Sequence, residues 1–143
     1  MNNDWFEKEQ LHFAADAGDI ERIKHLIEGG FDINAFDEGM SYTPLHYAVK
    51  NENLEAIKVL LSLGADVNAY DEEQIGETPL GAVAASCSYE VAETLVKAGA
   101  NPTIPGWMQL TALDRVKERK KPEGRRVYEL LLFTAKKYFR YAP

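Results

Sequence analysis

The stretch at residues 43–48 reads Thr-Pro-Leu-His-Tyr-Ala, and it decides the fold because it does not stand alone. A related segment, Thr-Pro-Leu-Gly-Ala-Val, follows at 78–83. A weaker form, Leu-His-Phe-Ala-Ala, precedes both at 11–15, and Thr-Ala-Leu-Asp closes the series at 111–114. The leucines of these four segments are spaced 34, 35 and 33 residues apart. A fixed period between about 20 and 50 residues is typical of repeat architectures, so the chain is predicted to be built from similar units.

A second marker follows the same period. Gly30, Gly64 and Gly99 repeat with steps of 34 and 35 residues. Glycine at such positions commonly ends a helix by entering the left-handed backbone region. The Thr-Pro pairs at 43–44 and 78–79 have the opposite meaning, because threonine caps a helix and proline suits its first position. Each unit therefore has predicted helix start and stop signals.

The residues between these markers predict a second helix in each unit. Leu54, Ile57, Leu60 and Leu61 recur at spacings that place them on one face of a helix. A helix pair of this size cannot bury its apolar face alone. Neighbouring pairs are therefore expected to stack.

With this signature the chain resembles the ankyrin repeat family, whose repeat of about 33 residues carries a Thr-Pro-Leu-His-x-Ala motif. The match is closest from Thr43 to Ala69 and weaker in the third unit, where Gly81 replaces the histidine. The resemblance covers roughly residues 10–133. It implies an all-α fold, an ankyrin-repeat solenoid of about four helix-turn-helix repeats with short β-hairpin fingers. Residues 1–143 would form a single domain, with terminal units acting as caps and repeats at approximately 8–37, 41–71, 76–104 and 109–138.

The charge of the chain is distributed unevenly. The net charge is −7, but residues 1–110 carry 6 Lys and Arg against 19 Asp and Glu, a balance of −13. Residues 111–143 carry 10 against 4, a balance of +6. An acidic body favours a partner with a basic surface and disfavours nucleic acid, whose phosphates it repels.

The sequence predicts a cytoplasmic protein, and we expect a protein-binding module of this kind to act as a monomer. With 45% apolar and 27% charged residues it is typical of soluble globular proteins. No apolar run approaches the ~20 residues of a membrane span. The first residues also lack the basic start and apolar run of a secretory signal. Cys87 is the only cysteine, which excludes an intramolecular disulfide and a multi-cysteine zinc site.

The resemblance also indicates where a partner protein would bind. In ankyrin-like proteins the segments corresponding to 34–42 and 68–77 project as fingers, and the ends of the first helices line a concave face. Exposed aromatic side chains among acidic ones are typical of recognition surfaces. The predicted partner-binding residues are Phe36, Asp37, Glu38, Met40, Tyr42, Lys50, Asn51, Tyr70, Asp71, Glu72, Glu73, Gln74, Ile75, Glu77 and Trp107. The alternative is that the finger aromatics cover their own loops. For Trp107, a binding anchor and a part of the C-terminal cap are equally open.

The reactive side chains do not form a catalytic pattern. His12, His25 and His46 lack metal-ligand spacing, and in the family the signature histidine typically bonds the backbone of a neighbouring loop. Cys87 has no histidine near it in sequence, and no phosphate loop or dinucleotide fingerprint occurs. We therefore expect no enzyme activity and no catalytic, cofactor-binding or metal site.

Three functions remain to be compared. The first is a non-catalytic protein–protein interaction module that uses the concave face and the fingers. The second is an immunity or inhibitor protein that neutralises a basic toxin or nuclease by blocking its active site, since an acidic body would steer such a partner. The third is nucleic-acid contact through the basic segment at 115–121 and Arg125-Arg126, against the alternative that these cations form a solvated cap face.

Overall fold

Helices provide the regular structure of residues 4–74 and 76–142, which are the residues that the computed structural model describes. Their bounds are α1 Asp4–Lys8, α2 Gln10–Ala17, α3 Ile20–Glu28, α4 Pro44–Lys50, α5 Leu54–Ser62, α6 Pro79–Val83, α7 Tyr89–Lys97, α8 Ala112–Val116 and α9 Pro122–Tyr138. Short 3-10 turns lie at Glu72–Gln74 and Trp107–Gln109. Within the described ranges there is no β-strand, so the β-hairpin form of the fingers is not confirmed. None of the helices found there has the length and apolar character that crossing a membrane requires.

The helices form pairs that stack in chain order. The first helices α2, α4, α6 and α8 contact one another in sequence, and α3 contacts α5 while α7 contacts α9. The four signature leucines share one buried core and are each at most 1% exposed: Leu11, Leu45, Leu80 and Leu113. This arrangement confirms the all-α solenoid. The repeat boundaries at 8–37, 41–71, 76–104 and 109–138 stay a prediction.

The start and stop signals work as the sequence predicts. The Thr78 hydroxyl accepts the backbone N–H of Gly81 at 2.9 Å at the start of α6. The glycines that follow the second helices, Gly30, Gly64 and Gly99, have φ values of 100°, 104° and 98°, where a side chain would be strained.

Asparagine side chains tie the first repeat to the second and the second to the third. The side-chain oxygen of Asn34 accepts the backbone N–H of Asp66 at 2.8 Å, and that of Asn68 accepts the N–H of Asn101 at 2.7 Å. The Asn68 amide also donates to the Gly99 carbonyl at 3.1 Å. These bonds pair backbone groups that the loops leave without a helical partner, and they fix the spacing between units.

The terminal units have features of their own. The last helix begins at Pro122, because proline suits a first helical position. Gly124 is required there, since a Cβ would lie 2.4 Å from the Cβ of Arg119. At the other end Trp5 and Phe6 cover the stack only partly, being 46% and 51% exposed.

Candidate protein-binding surface

The first finger, residues 34–42, is closed by one carboxylate. Asp37 is only 9% exposed, and its Oδ1 accepts the N–H groups of Met40 and Tyr42 at 3.1 and 3.0 Å. Its Oδ2 accepts the Tyr47 hydroxyl. Burial raises the pKa of Asp37, but these hydrogen bonds outweigh that effect, so its pKa lies below the ordinary value. Asp37 therefore shapes the finger from inside, and both of its carboxylate oxygens accept hydrogen bonds from the chain itself.

The closed turn leaves other side chains of the first finger in solvent. Phe36 is 40% exposed, Met40 is 55% exposed, and Glu38 is exposed as well. The backbone N–H of Glu38 donates to the Glu9 carboxylate at 2.7 Å, which anchors the finger to the start of α2. The finger thus presents apolar groups from an internally braced loop.

At the end of this finger, the Tyr42 ring and the Lys50 ammonium form a cation–π contact. The Tyr42 ring stacks on His46 with centroids 4.6 Å apart and planes 8° apart. The Lys50 ammonium lies 5.4 Å from the centroid of the same ring. Asn51, predicted to contact a partner, donates its amide to the Asp16 carbonyl at 3.0 Å and so links the first two pairs.

The second finger, residues 68–77, carries exposed acids on a short turn. The Tyr70 hydroxyl donates to Glu72 Oε1 at 3.2 Å, and Asp71 accepts the N–H of Glu73 at 3.1 Å. Glu72, Glu73 and Gln74 are exposed, whereas Tyr70 and Asp71 are half-buried. Ile75 lies outside the described residues. This finger provides most of the free negative charge near the predicted surface.

Glu77 fixes the third finger, residues 104–110. Its Oε1 accepts the Arg115 guanidinium at 2.6 Å and the backbone N–H of Trp107 at 2.9 Å, and its side chain is only 15% exposed. Gly106 is required in this arrangement, because a Cβ there would lie 2.3 Å from the Glu77 carboxylate. Glu77 was predicted to contact a partner, but its carboxylate is committed to the fold.

The tip of the third finger is apolar and exposed. Trp107 is 59% exposed and Met108 is 66% exposed, and Leu110 beside them is 38% exposed. Met108 and Gln109 have φ values of 58° and 61°, an uncommon backbone conformation that the bonds to Glu77 and Arg115 help to hold. The Trp107 ring is therefore mostly in solvent.

The signature histidines are structural. His46 Nδ1 accepts the N–H of Thr43 at 3.0 Å, and its Nε2 donates to the Glu77 carbonyl at 2.6 Å. Burial lowers the pKa of His46 to about 4, so the imidazole is neutral at pH 7. His12 Nε2 donates in the same way to the carbonyls of Ala35 and Tyr42, at 2.8 and 3.0 Å.

Cys87 is buried, and the potential metal ligands of the described residues are dispersed. Cys87 is 1% exposed, and burial raises its pKa to about 11, which keeps the thiol protonated and unreactive. Among residues 4–74 and 76–142, no group of three His, Cys, Asp or Glu side chains is arranged to hold a metal ion.

Several cations of the basic C-terminal segment already have partners within the chain. Arg115 pairs with Glu77, Arg119 donates to the Cys87 carbonyl at 2.8 Å, and the Arg126 guanidinium lies 4.1 Å from the Tyr89 ring centroid. Sequence reasoning missed these roles, because charge alone does not reveal which carbonyl or ring a side chain will meet. It also missed the exposed Met108, although its place after Trp107 in a Pro-Gly turn was a usable signal.

The chain matches a known protein family. A family model described as ankyrin repeats, in three copies, matches residues 11–105. Among curated proteins no match was found.

Proposed function

The chain belongs to the ankyrin repeat family, and from this premise we propose that it is a non-catalytic module that binds a partner protein through its concave face and its fingers. Ankyrin repeats are generally protein–protein interaction modules and are typically non-catalytic.

The observation that carries the proposal is the exposure of large apolar side chains on braced turns. Phe36, Met40, Trp107 and Met108 are each at least 40% exposed, and the turns that hold them are fixed by the carboxylates of Asp37 and Glu77, which act from inside. Aromatic and methionine side chains are enriched in the buried centres of interfaces. A turn that is already ordered also loses less entropy on binding.

The predicted residues fall into two groups, according to whether their side chains are available to a partner or help to hold the fold. The contact group is exposed or half-exposed and consists of Phe36, Glu38, Met40, Tyr42, Lys50, Tyr70, Glu72, Glu73, Gln74 and Trp107. The positioning group, with side chains hydrogen-bonded within the chain, consists of Asp37, Asn51, Asp71 and Glu77.

The test is affinity isolation from the native host with matched variants. We expect a co-purifying protein to be retained by the wild type and lost by the Phe36→Ala/Met40→Ala double variant. Phe133→Ala is the control, because Phe133 is 59% exposed on α9, away from the fingers. Melting curves should show that all three proteins are folded. Equal loss of the captured protein in the control would overturn the proposed surface.

A second candidate is favoured by the charge distribution. Residues 66–77 contain five acidic and no basic residues within a body that carries −13. An inhibitor that blocks the active site of a basic toxin or nuclease would gain association rate from such a field. Its association rate should then fall steeply with ionic strength. A rate that hardly changes between low and high salt would remove this candidate.

A further inference from the structure

A cleft separates the second finger from the third. It has a volume of about 170 Å³ and is lined by Tyr70, Glu72, Gly76, Pro105, Gly106 and Gln109. One wall is thus an aromatic ring with a carboxylate beside it, and the other is the base of the turn that presents Trp107 and Met108. The tyrosine hydroxyl donates to the glutamate at 3.2 Å, so the two groups are held together.

The two glycines of the cleft, Gly76 and Gly106, are closely surrounded by other atoms of the chain. A Cβ on Gly76 would lie 2.7 Å from the backbone N of Asp71, and one on Gly106 would lie 2.3 Å from the Glu77 carboxylate. The backbone at Gly76 and at Gly106 therefore lies too close to these neighbouring atoms for a larger residue to replace either glycine without a shift.

The charge in the cleft is not neutralised by the chain itself. The Glu77 carboxylate behind Gly106 is paired with Arg115, whereas no lysine or arginine of residues 4–74 and 76–142 forms a salt bridge with Glu72. Residues 66–77 contain no basic residue at all. The cleft therefore offers, beside Tyr70, a carboxylate that accepts the tyrosine hydroxyl and has no cationic partner among the described residues.

We propose that this cleft binds one arginine side chain of the partner, while Trp107 and Met108 pack on apolar surface beside that arginine. A planar guanidinium can stack on the Tyr70 ring and bond both oxygens of the Glu72 carboxylate, a combination that suits arginine better than lysine. This inference rests on the proposed protein-binding function and narrows the partner to a protein with an arginine exposed next to an apolar patch.

The experiment uses a peptide in place of the unidentified partner. An acetylated and amidated Gly-Arg-Gly peptide is titrated into the full ¹⁵N-labelled chain, and amide shifts are followed by NMR. We expect saturable shifts at Glu72, Gly76, Gly106 and Gln109, with an affinity in the millimolar range. The same peptide with citrulline, which is neutral and nearly isosteric, should give no saturable shift, and a lysine peptide should bind less tightly.

Two variants that each remove one negative charge distinguish binding in the cleft from nonspecific attraction of the cationic peptide to the acidic chain. Glu72→Gln should weaken the titration several-fold, while Glu28→Gln, at an exposed position in the last turn of α3, should leave it unchanged. The inference is overturned if citrulline gives the same shifts, if both variants weaken binding equally, or if no shift saturates. Because the titration needs no partner, its failure leaves the affinity-isolation result standing. Failure of the isolation alone removes the proposed function and the assignment of the arginine to a partner protein, while binding of the arginine peptide in the cleft would stand.

Discussion

The buried histidine of the signature motif makes the stability of this protein sensitive to acid. Burial lowers the pKa of His46 from 6.5 to about 4. Between these values the unfolded chain takes up a proton on this side chain and the native chain does not. The native state therefore loses stability as the pH falls from about 7 toward 4. A difference of about 2.5 pKa units corresponds to a total loss of about 3 kcal/mol in the free energy of unfolding, which is complete only below the native pKa. Between roughly pH 7.5 and pH 4.5 a loss of about 2 to 3 kcal/mol is expected.

The assay compares the wild type with His46→Gln by urea denaturation at several pH values. The variant starts less stable at neutral pH, because it loses bonds to Thr43 and Glu77. The difference between their free energies of unfolding should then shrink by about 2 to 3 kcal/mol as the pH falls from roughly 7.5 to 4.5. Asp37 does not confuse the result, since its pKa is lowered from 3.8 and its contribution is lost below that window.

A surface histidine provides the control for this experiment. His25→Gln removes an exposed imidazole from α3, and its stability should follow that of the wild type at every pH. Dilute samples are needed because the isoelectric point lies near 5.0. If the curves of the wild type and His46→Gln stay parallel from neutral to acidic pH, the reasoning about the buried imidazole is refuted.

Three further changes test separate parts of the structure. Leu60→Ala should lower the free energy of unfolding by about 2 to 5 kcal/mol because Leu60 is fully buried, while Leu63→Ala, at a 43% exposed position, should change it by less than about 0.5 kcal/mol. Urea denaturation compares the two, and similar losses would contradict the packing. Glu77→Gln should cost about 1 to 3 kcal/mol, because the Arg115 guanidinium loses its carboxylate in a partly buried place. A loss no larger than that of Leu63→Ala would show that this ion pair does not hold the third finger. Tyr70→Ala should leave the melting temperature unchanged and weaken binding of the isolated partner, and a lower melting temperature would instead place the ring in the core.

The repeat architecture could be predicted because its signals are local and periodic. Thr43 and His46 are three residues apart and form the capping contacts of one helix, and Gly64 ends the next one. Each of these positions is decided by the backbone within a turn or two, so reading the chain in order is sufficient. Because the same signals recur in successive repeats, each repeat supports the interpretation of the others.

The candidate site was predicted less well because its geometry depends on distant residues. Glu77 and Arg115 are 38 positions apart, and no local pattern shows that their ion pair fixes the turn at Trp107. Asp37 looked like one acid among several in an exposed loop. It is buried because the backbone of its own finger folds over it, and sequence composition does not encode that path.

The Glu77–Arg115 ion pair that fixes the third finger also has a consequence for protein engineering. The loop that presents Trp107 depends on a carboxylate at position 77, at the start of one repeat, and on a guanidinium at position 115, within the next. Grafting residues 104–110 alone onto another scaffold would leave both supports behind. The smallest transplantable cassette therefore extends from position 77 to position 115 and crosses the junction between two units.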